Sequence, residues 1–393
     1  MSALRHLRKN HELYENNVQE KRVSLWALFH VKLVGGKKEM NYDRSVEEYV
    51  NHQEIYTPVD VRSPGEFREN RIPNAVNIPL FTDEERAEIG TLYKHEGQKA
   101  AKWRAMEIVS PKLPNLLAEI RKVEETHKKP LLYCWRGGMR SQSIAHFAMM
   151  SGLHIQRLDG GYRAYREYVV QHIAELLPEQ AVVIYGLTGT GKTDILHELT
   201  KLGYPVLDLE GYANHKGSVF GALSGQAPHN QKMFDALLYE DLQKIAGSSY
   251  FFMEGESKRI GHAVQPPELY EKKENGIHIR VNSSLEKRVE RIYEQYVEET
   301  DAFHERVEFA LGRIMKRVKP QEIQLELQRC LEERDYKEMI RLLIVYYYDP
   351  RYDNKISETI HTELEVNSDS IEEATKKIAA FIDEEMHTKQ IQS

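Results

Sequence analysis

The stretch from Ala181 to Leu202 constrains the fold of this chain more than any other. It starts with the apolar run Ala181–Tyr185, continues with the glycine-rich loop Gly186–Thr193 and ends in a segment with helical periodicity. An apolar strand, a loop of the pattern Gly-x-x-x-x-Gly-Lys-Thr and a helix, in this order, are typical of a phosphate-binding P-loop. The stretch therefore predicts an α/β domain built around a parallel sheet.

The residue types in this loop predict a diphosphate site. Glycine amides can wrap phosphate oxygens, a lysine adds positive charge and a threonine hydroxyl can bind Mg²⁺. The predicted site residues are Gly186, Gly189, Gly191, Lys192 and Thr193. Because such a loop recognises phosphates and not a base, ATP, GTP or another diphosphate ester would fit. The sequence has no Asn-Lys-x-Asp motif, which argues against a GTPase.

Acidic residues follow two short apolar segments of the same domain. Asp208 closes the segment from Val206, and Glu254 and Glu256 close the segment from Tyr250. A carboxylate at the end of a strand near a P-loop often orients the metal ion, so all three are candidates for a metal-orienting or acid–base role. The pattern does not distinguish among them. Apart from Mg²⁺ at Thr193, we expect no dedicated metal site.

A second feature is the cysteine in the stretch Tyr133–Ser141. The apolar segment Pro130–Tyr133 reads as a buried strand that ends at Cys134, and a glycine- and arginine-rich loop then opens a helix. Arg136, Arg140, the loop amides and the helix N-terminus can all stabilise a thiolate. Cys134 is therefore predicted to be a nucleophile that carries sulfur or selenium.

Cysteine content and hydropathy predict the cellular location of the protein. Cys134 and Cys330 are the only cysteines, too few for a disulfide framework or a zinc quartet, so we expect no zinc and a reducing, cytoplasmic location. Cys330 lies at helical spacing among leucines and is expected to be structural. The apolar run Val23–Val34 is too short for a membrane span and is broken by charge, so no membrane contact is expected.

The net charge of −7 provides no general attraction to nucleic acid. Any RNA contact must therefore come from a local basic face. Candidates are Arg288 and Arg291 on a predicted helix from Leu285 to Val297, and Arg313, Lys316 and Arg317 in the helical region that follows. A solvated helix face explains the second cluster about equally well.

With 393 residues, the chain is expected to form more than one domain. Residues 1–40 read as an N-terminal extension, either a disordered or loosely docked arm or translated upstream sequence before Met40. Residues 41–172 alternate strands with helices, including helical periodicity over Asp83–Ile89 and Leu113–Val123. Residues 178–393 form the P-loop domain, with a helical portion at about 285–348. The predicted fold class is thus α/β, with two parallel-sheet domains in succession.

Several segments of the first domain resemble the rhodanese domain. They are Asp60–Arg62, Glu66–Phe67, Ile72–Pro79, the Cys134 loop and Leu158–Tyr162. Asn70-Arg71 replaces the usual Gly-His pair, and Tyr165 stands where tryptophan is common. Neither departure involves the cysteine. The resemblance implies a parallel-sheet domain with Cys134 as its catalytic residue, Arg136 and Arg140 lying beside it.

The order of the two domains, together with further motifs, resembles the family of bacterial tRNA 2-selenouridine synthases. The motifs are Gly90–Lys94, Asp208–Ser218, Glu256–Gly261 and Tyr347–Tyr352. The resemblance implies a transferase that replaces sulfur by selenium at the wobble 2-thiouridine of tRNA, with selenophosphate as donor and a separate enzyme supplying it. It also implies tRNA geranyltransferase activity, in which geranyl diphosphate alkylates that sulfur first.

The resemblance assigns the two steps to two sites as a hypothesis. The P-loop would hold the diphosphate of geranyl diphosphate, and Cys134 would accept selenium as a perselenide or help to release it from selenophosphate. An alternative enzyme is an ATP-dependent, rhodanese-type sulfurtransferase acting on RNA through a Cys134 persulfide. A non-catalytic scaffold is a third reading, which the presence of both Cys134 and Lys192 argues against.

Overall fold

The computed structural model describes residues 42–215, 227–297, 300–351 and 361–392. The described residues from Arg44 onward form one compact unit. The expected extension at residues 1–40 and two parts of the family motifs, residues 216–218 and Tyr352, lie outside the described residues. In the described part, no helix is long and apolar enough to cross a membrane.

The first sheet has five strands in the order β1-β5-β4-β2-β3. They are β1 Asp43–Arg44, β2 Tyr56–Asp60, β3 Val76–Asn77, β4 Lys129–Tyr133 and β5 Gln156–Leu158. Strand β2 pairs in parallel with both β3 and β4, and β4 pairs in parallel with β5. Val59, Leu131 and Leu132 are fully buried, because helices cover both faces of a parallel sheet. The carboxyl end of the central strand β4 leads directly into Cys134.

Seven helices surround this sheet. They are α1 Val46–Asn51, α2 Pro64–Glu69, α3 Asp83–His95, α4 Gln98–Val109, α5 Leu113–Glu124, α6 Met139–Met150 and α7 Gly161–Leu176. Helix α3 starts at a capping box in which Thr82 and Glu85 satisfy each other's backbone amides. Helix α3 buries no side chain fully, and α4 buries only Ala101. These two helices therefore stand at the surface and contact each other.

The second sheet also has five parallel strands, in the order β12-β11-β6-β8-β7. They are β6 Gln180–Tyr185, β7 Val206–Leu207, β8 Tyr250–Glu254, β11 Ile277–Asn282 and β12 Leu364–Asn367. A small antiparallel pair joins β9 Arg259–Ile260 to β10 Ala263–Val264. The helices here are α8 Lys192–Lys201, α9 Leu209–Ala213, α10 Gln231–Lys244, α11 Pro267–Glu274 and α16 Ile371–Gln392.

A helical portion lies in the chain between β11 and β12. It consists of α12 Leu285–Tyr296, α13 Asp301–Ile314, α14 Gln321–Glu332, α15 Tyr336–Leu343 and a π-helical turn, Ile344–Tyr348. It has its own core, in which Phe303, Cys330 and Ile344 are buried together. The structure confirms the expected fold class, two α/β domains with parallel sheets and a helical C-terminal portion. Strand β12 and helix α16 then return to the second sheet.

Helix α7 of the first domain packs against helix α10 of the second, and one hydrophobic core includes residues of both domains. Tyr165 of α7 and Phe234 of α10 belong to the same buried cluster. Arg166 of α7 forms an ion pair of 2.6 Å with Asp235 of α10, whose side chain is almost fully buried. Burial raises the pKa of Asp235, an effect that the charge of Arg166 only partly offsets.

Candidate active sites

Cys134 lies just after the carboxyl end of β4, where sites in parallel sheets are normally found. Its side chain is 3% exposed and borders a cavity. The Ser141 hydroxyl donates a hydrogen bond to the Cys134 Sγ, with an Oγ–Sγ distance of 3.3 Å. Since Ser141 is fully buried in the first turn of α6, it holds a hydrogen-bond donor against the sulfur.

Backbone contacts with the start of α7 hold the Cys134 loop in place. The amide of Tyr162 donates to the carbonyl oxygen of Cys134, and that of Arg163 donates to Trp135, both at 2.9 Å. Gly161 has φ +61°, and a Cβ atom there would lie 2.3 Å from the Cys134 carbonyl oxygen. Only glycine allows this approach without displacing the backbone.

The two predicted arginines of this loop have different surroundings. Arg140 donates to Glu66, with distances of 2.6 Å (Nη1–Oε2) and 3.3 Å (Nη2–Oε1). Arg86 lies 3.6 Å from the same carboxylate. Burial alone would raise the pKa of Glu66, but the hydrogen bond and charge of Arg140 lower it overall. Arg136 is exposed and lines the cavity.

The cavity in front of Cys134 has a volume of about 900 Å³. Its lining comes from the Cys134 loop, the first turn of α6 and helix α3. Side chains from α3 include Ile89, Tyr93 and Lys94. The cavity therefore places the cysteine at the base of a site that α3 partly encloses.

The P-loop connects β6 to α8 as predicted, with Gly189 and Gly191 at φ +82° and +84°. The Lys192 ammonium donates to the carbonyl oxygen of Gly186 at 2.9 Å, so it curls back over the loop. Ser368, next to β12, donates its hydroxyl to the carbonyl oxygen of Thr190 at 2.6 Å. The loop thus has the cradle shape that binds phosphate oxygens through backbone amides.

One of the three candidate acids contacts the P-loop. Thr193 donates its hydroxyl to Glu254 Oε1 at 2.7 Å, and β8, which ends at Glu254, pairs directly with β6. The side chain of Glu254 is fully buried, and its Oε2 atom has no hydrogen-bond partner among the described residues. Burial, followed by the charges of Glu210, Glu256 and Asp208, raises its pKa well above the ordinary value.

The other two acids have different positions. Asp208 caps α9 by accepting a hydrogen bond of 2.8 Å from the amide of Gly211. The backbone carbonyl of Glu256 accepts a hydrogen bond of 3.1 Å from Lys273. Within the described ranges, no group of three or more His, Cys, Asp and Glu side chains could hold a metal ion by itself. Thr193 and the unpartnered oxygen of Glu254 fit Mg²⁺, which usually takes few protein ligands and completes its shell with phosphates and water.

Family models match both domains of the chain. The model of the rhodanese-like domain matches residues 45–168, and that of the tRNA 2-selenouridine synthase AAA domain matches residues 179–388. A protein of Hydrogenovibrio crunogenus named tRNA 2-selenouridine synthase is 34% identical, over 75% of this chain and 88% of its own length. The chain belongs to the tRNA 2-selenouridine synthase family. A synthase of the same name from Pseudomonas putida F1 is 33% identical, over 75% of this chain and 86% of its own.

Two solved structures overlap parts of this family member. A rhodanese-related protein from Thermoplasma volcanium covers 32% of this chain and 91% of its own, with 23% identity and a TM-score of 0.21. Shikimate kinase from Bacteroides thetaiotaomicron covers 52% of this chain and 98% of its own, with 15% identity and a TM-score of 0.23.

The candidate RNA-binding residues of this synthase-family chain form two groups, one beside the P-loop and one on the surface. Arg288 is 5% exposed; its Nε donates to the carbonyl oxygen of Thr188 at 2.8 Å, and its two Nη atoms donate to Asp349 at 2.9 and 2.6 Å. Arg291 is half-buried and donates to Gly189 at 3.4 Å, and burial lowers its pKa. Both arginines therefore contact the P-loop, and Arg288 is too buried to belong to the basic RNA-contact face that the sequence predicts for it.

The second group lies on the surface. Arg313, Lys316 and Arg317 are exposed at and after the end of α13. Phe309, one turn before Arg313, is 72% exposed, and the Arg313 guanidinium lies 5.9 Å from its ring centre. Basic side chains beside an exposed aromatic ring suit a nucleic acid surface.

Sequence reasoning did not identify several residues that line or support the two sites. Ser141 and Glu66 were named within motifs but were given no role, and Ile89, Tyr93 and Lys94 belong to a cavity that no local pattern predicts. The available signal was the motif Gly90–Lys94, which overlaps the part of α3 that lines the cavity. Its proximity to Cys134 depends on the tertiary fold.

Proposed function

We propose that this protein converts the wobble 2-thiouridine of tRNA to 2-selenouridine through an S-geranylated intermediate. The observation that carries the proposal is the presence, in one compact unit of this family, of a buried cysteine at a large cavity and a separate diphosphate cradle. We assign residues 41–172 to the selenium step and residues 178–393 to the geranyl step. The RNA substrate and the scarcity of cysteines both suit the reducing cytoplasm.

The first step takes place at the P-loop. The thiocarbonyl sulfur attacks the allylic carbon of geranyl diphosphate; a C–S bond forms, the C–O bond breaks, and diphosphate leaves with the electron pair. Uridine N3 loses its proton to solvent, which leaves the S-alkylated base neutral. The amides of Gly186–Thr193 and the Lys192 ammonium stabilise the charge that develops on the diphosphate. Lys192 must leave its contact with Gly186 to reach the ligand.

Magnesium would be held by Thr193 and Glu254 in this proposal, and it would neutralise part of the diphosphate charge. Thr193 and Glu254 are already in contact, so this corner of the site is assembled before ligand arrives. Arg288 and Arg291 support it indirectly, by holding the carbonyl groups of Thr188 and Gly189.

The second step takes place at Cys134. Alkylation of the sulfur prepares for this step, because it makes carbon C2 of the base more electrophilic and allows the sulfur to leave as a thiol. The Cys134 thiolate attacks the phosphorus of selenophosphate; an S–P bond forms, the P–Se bond breaks, and hydrogen selenide is released beside the base. Its selenium attacks C2, and geranylthiolate leaves and takes up a proton. Water then hydrolyses the S–P bond to phosphate.

This route is preferred over a Cys134 perselenide because it needs no oxidant. Selenium in selenophosphate and sulfur in a thiolate are both fully reduced, so joining them would require removal of two electrons. Ser141, which contacts the Cys134 sulfur, would stabilise the thiolate. Arg136, exposed at the cavity, would bind the donor phosphate.

Transfer RNA is the macromolecular partner, and the Arg313, Lys316 and Arg317 surface with Phe309 is its proposed contact. Selenophosphate would come from a separate supply enzyme. The proposed geranyltransferase activity is part of the same cycle and uses the same tRNA.

Nucleoside mass spectrometry of tRNA treated with purified variants tests the assignment. Cys134→Ala should form S-geranylated 2-thiouridine but no selenouridine, whereas Lys192→Ala should lose geranylation. Cys330→Ala is the matched control and should retain both products. Loss of geranylation in folded Cys134→Ala would refute the division of labour. Stoichiometric release of ADP or AMP during turnover would instead favour the ATP-dependent sulfurtransferase.

A further inference from the structure

The cavity over Cys134 is larger than its selenium donor requires. Selenophosphate is about the size of a phosphate ion, whereas pockets of about 300–1,000 Å³ accommodate whole small molecules. The volume of about 900 Å³ lies near the top of this range. There is therefore room beside Cys134 for a second, larger ligand.

The lining of the cavity includes five large apolar side chains, those of Phe81, Ile89, Tyr93, Trp135 and Met139. Tyr93 and Met139 are 57% and 49% exposed, so a ligand in the cavity would cover apolar surface of both side chains. Ile89 and Tyr93 are four residues apart on α3 and so lie on the same helix face.

The lining also includes four cationic side chains, those of Arg86, Lys94, Arg136 and Arg140. Arg86 and Arg140 both face the carboxylate of Glu66. For Lys94 and Arg136, the described part of the chain shows no ion pair, and both side chains are exposed. Two cations without an ion pair in the described ranges, in the same cavity as five apolar side chains, suit a ligand that has both a hydrocarbon group and a phosphate group.

We propose that this cavity binds the S-alkylated wobble nucleotide itself, with the hydrocarbon substituent against Ile89, Tyr93 and Met139. Lys94 and Arg136 bind phosphate groups of the RNA and of the selenium donor. The inference rests on the proposed function and deepens it, because it makes α3 a second element that selects the length of the alkyl chain. Selection at the P-loop governs which chain is attached, and selection at α3 governs which alkylated nucleotide undergoes exchange.

RNA stem-loops that already carry S-methyl, S-dimethylallyl or S-geranyl 2-thiouridine test this inference, because they bypass the P-loop step. With the full chain and selenophosphate, KM for selenouridine formation should be at least about tenfold lower for geranyl than for methyl RNA, as expected when a pocket gains several methylene contacts. Ile89→Ser and Tyr93→Ala should reduce this ratio to about threefold or less. Trp103→Ala, 72% exposed on α4 and outside the cavity lining, should leave it unchanged.

A second measurement does not depend on the folding of variants. S-geranyl 2-thiouridine monophosphate should slow alkylation of wild-type Cys134 by iodoacetamide, and the S-methyl analogue should do so far less. Equal protection by the two compounds, or an unchanged geranyl-to-methyl ratio in the α3 variants, overturns the inference alone. If the wild type makes no selenouridine from any of the three RNAs, the proposed function fails and the inference fails with it.

Discussion

Arg140 and Glu66, 74 positions apart in the chain, form a two-point ion pair beside Cys134. Arg140 lies in the first turn of α6, which follows the cysteine loop, and Glu66 belongs to α2, so the pair ties the end of the loop to a helix from a distant part of the sequence. Because the Arg140 guanidinium is paired with Glu66, it is less available to bind the anionic selenium donor than the sequence suggests. Its main effect is to fix the position of the loop.

The ion pair predicts a specific dependence of stability on pH. The pKa of Glu66 is lowered in the folded state, because Arg140 outweighs the effect of burial. Its contribution is therefore present above the unfolded-state pKa of about 4.3 and is lost as pH falls through the folded value. Glu66→Gln should lower the free energy of unfolding by about 1 kcal/mol at pH 7. Urea unfolding at several pH values from 7 to 3 should show that the difference in free energy of unfolding between the wild type and Glu66→Gln shrinks in acid. A difference that does not change with pH would contradict the prediction.

Gly161→Ala should distort the Cys134 loop and abolish its activity, although Gly161 is in α7 and not in that loop. A methyl group there would collide with the Cys134 carbonyl oxygen and would lie 2.4 Å from the amide nitrogen of Gly137, in a left-handed conformation that costs other residues about 1–3 kcal/mol. Selenouridine formation should be lost while geranylation persists. Gly138→Ala is the control within the same loop, since its Cβ would meet no atom within 4 Å. Equal loss in both variants would refute the steric explanation.

The sequence was informative where a pattern is local. The strand, loop and helix around Lys192 and the strand ending at Cys134 were predicted from runs of adjacent residues, and the fold class that followed from them is confirmed. The helical prediction for Asp83–Ile89 was correct but short, since α3 continues to His95. Gly90 and Thr91, which favour helices only weakly, interrupt the pattern after Ile89, although Leu92 and Tyr93 continue it.

The sequence was uninformative where a role depends on contacts between distant segments. The contact of Glu254 with Thr193 depends on the pairing of β8 with β6, which periodicity does not reveal. Arg288 is on a charged, amphipathic helix and reads as an RNA contact until its partners Thr188 and Asp349 are known. Strand β12 follows the helical portion and returns to the edge of the sheet, a connection that no local motif predicts.

The two cysteines should differ sharply in reactivity. Burial, the largest effect, raises the pKa of Cys330 to about 11, so its thiolate is scarce at pH 8. Cys134 borders the cavity and accepts a hydrogen bond from Ser141. Iodoacetamide at pH 8, followed by peptide mass spectrometry, should therefore label Cys134 well before Cys330. Comparable labelling of the native protein at both positions would contradict this.

Asp349→Ala should damage the P-loop from the helical portion. The variant leaves the buried Arg288 without its carboxylate partner, and removal of one member of a buried pair costs about 3–5 kcal/mol. We expect a free energy of unfolding lower by about 3 kcal/mol and a higher KM for geranyl diphosphate, because Arg288 also holds the Thr188 carbonyl. Glu286→Gln is the matched control, since it breaks an exposed pair with Arg341 on the same two helical segments and should lower the free energy of unfolding far less. Urea unfolding and geranylation kinetics measure both effects, and equal behaviour of the two variants would show that Arg288 does not support the loop.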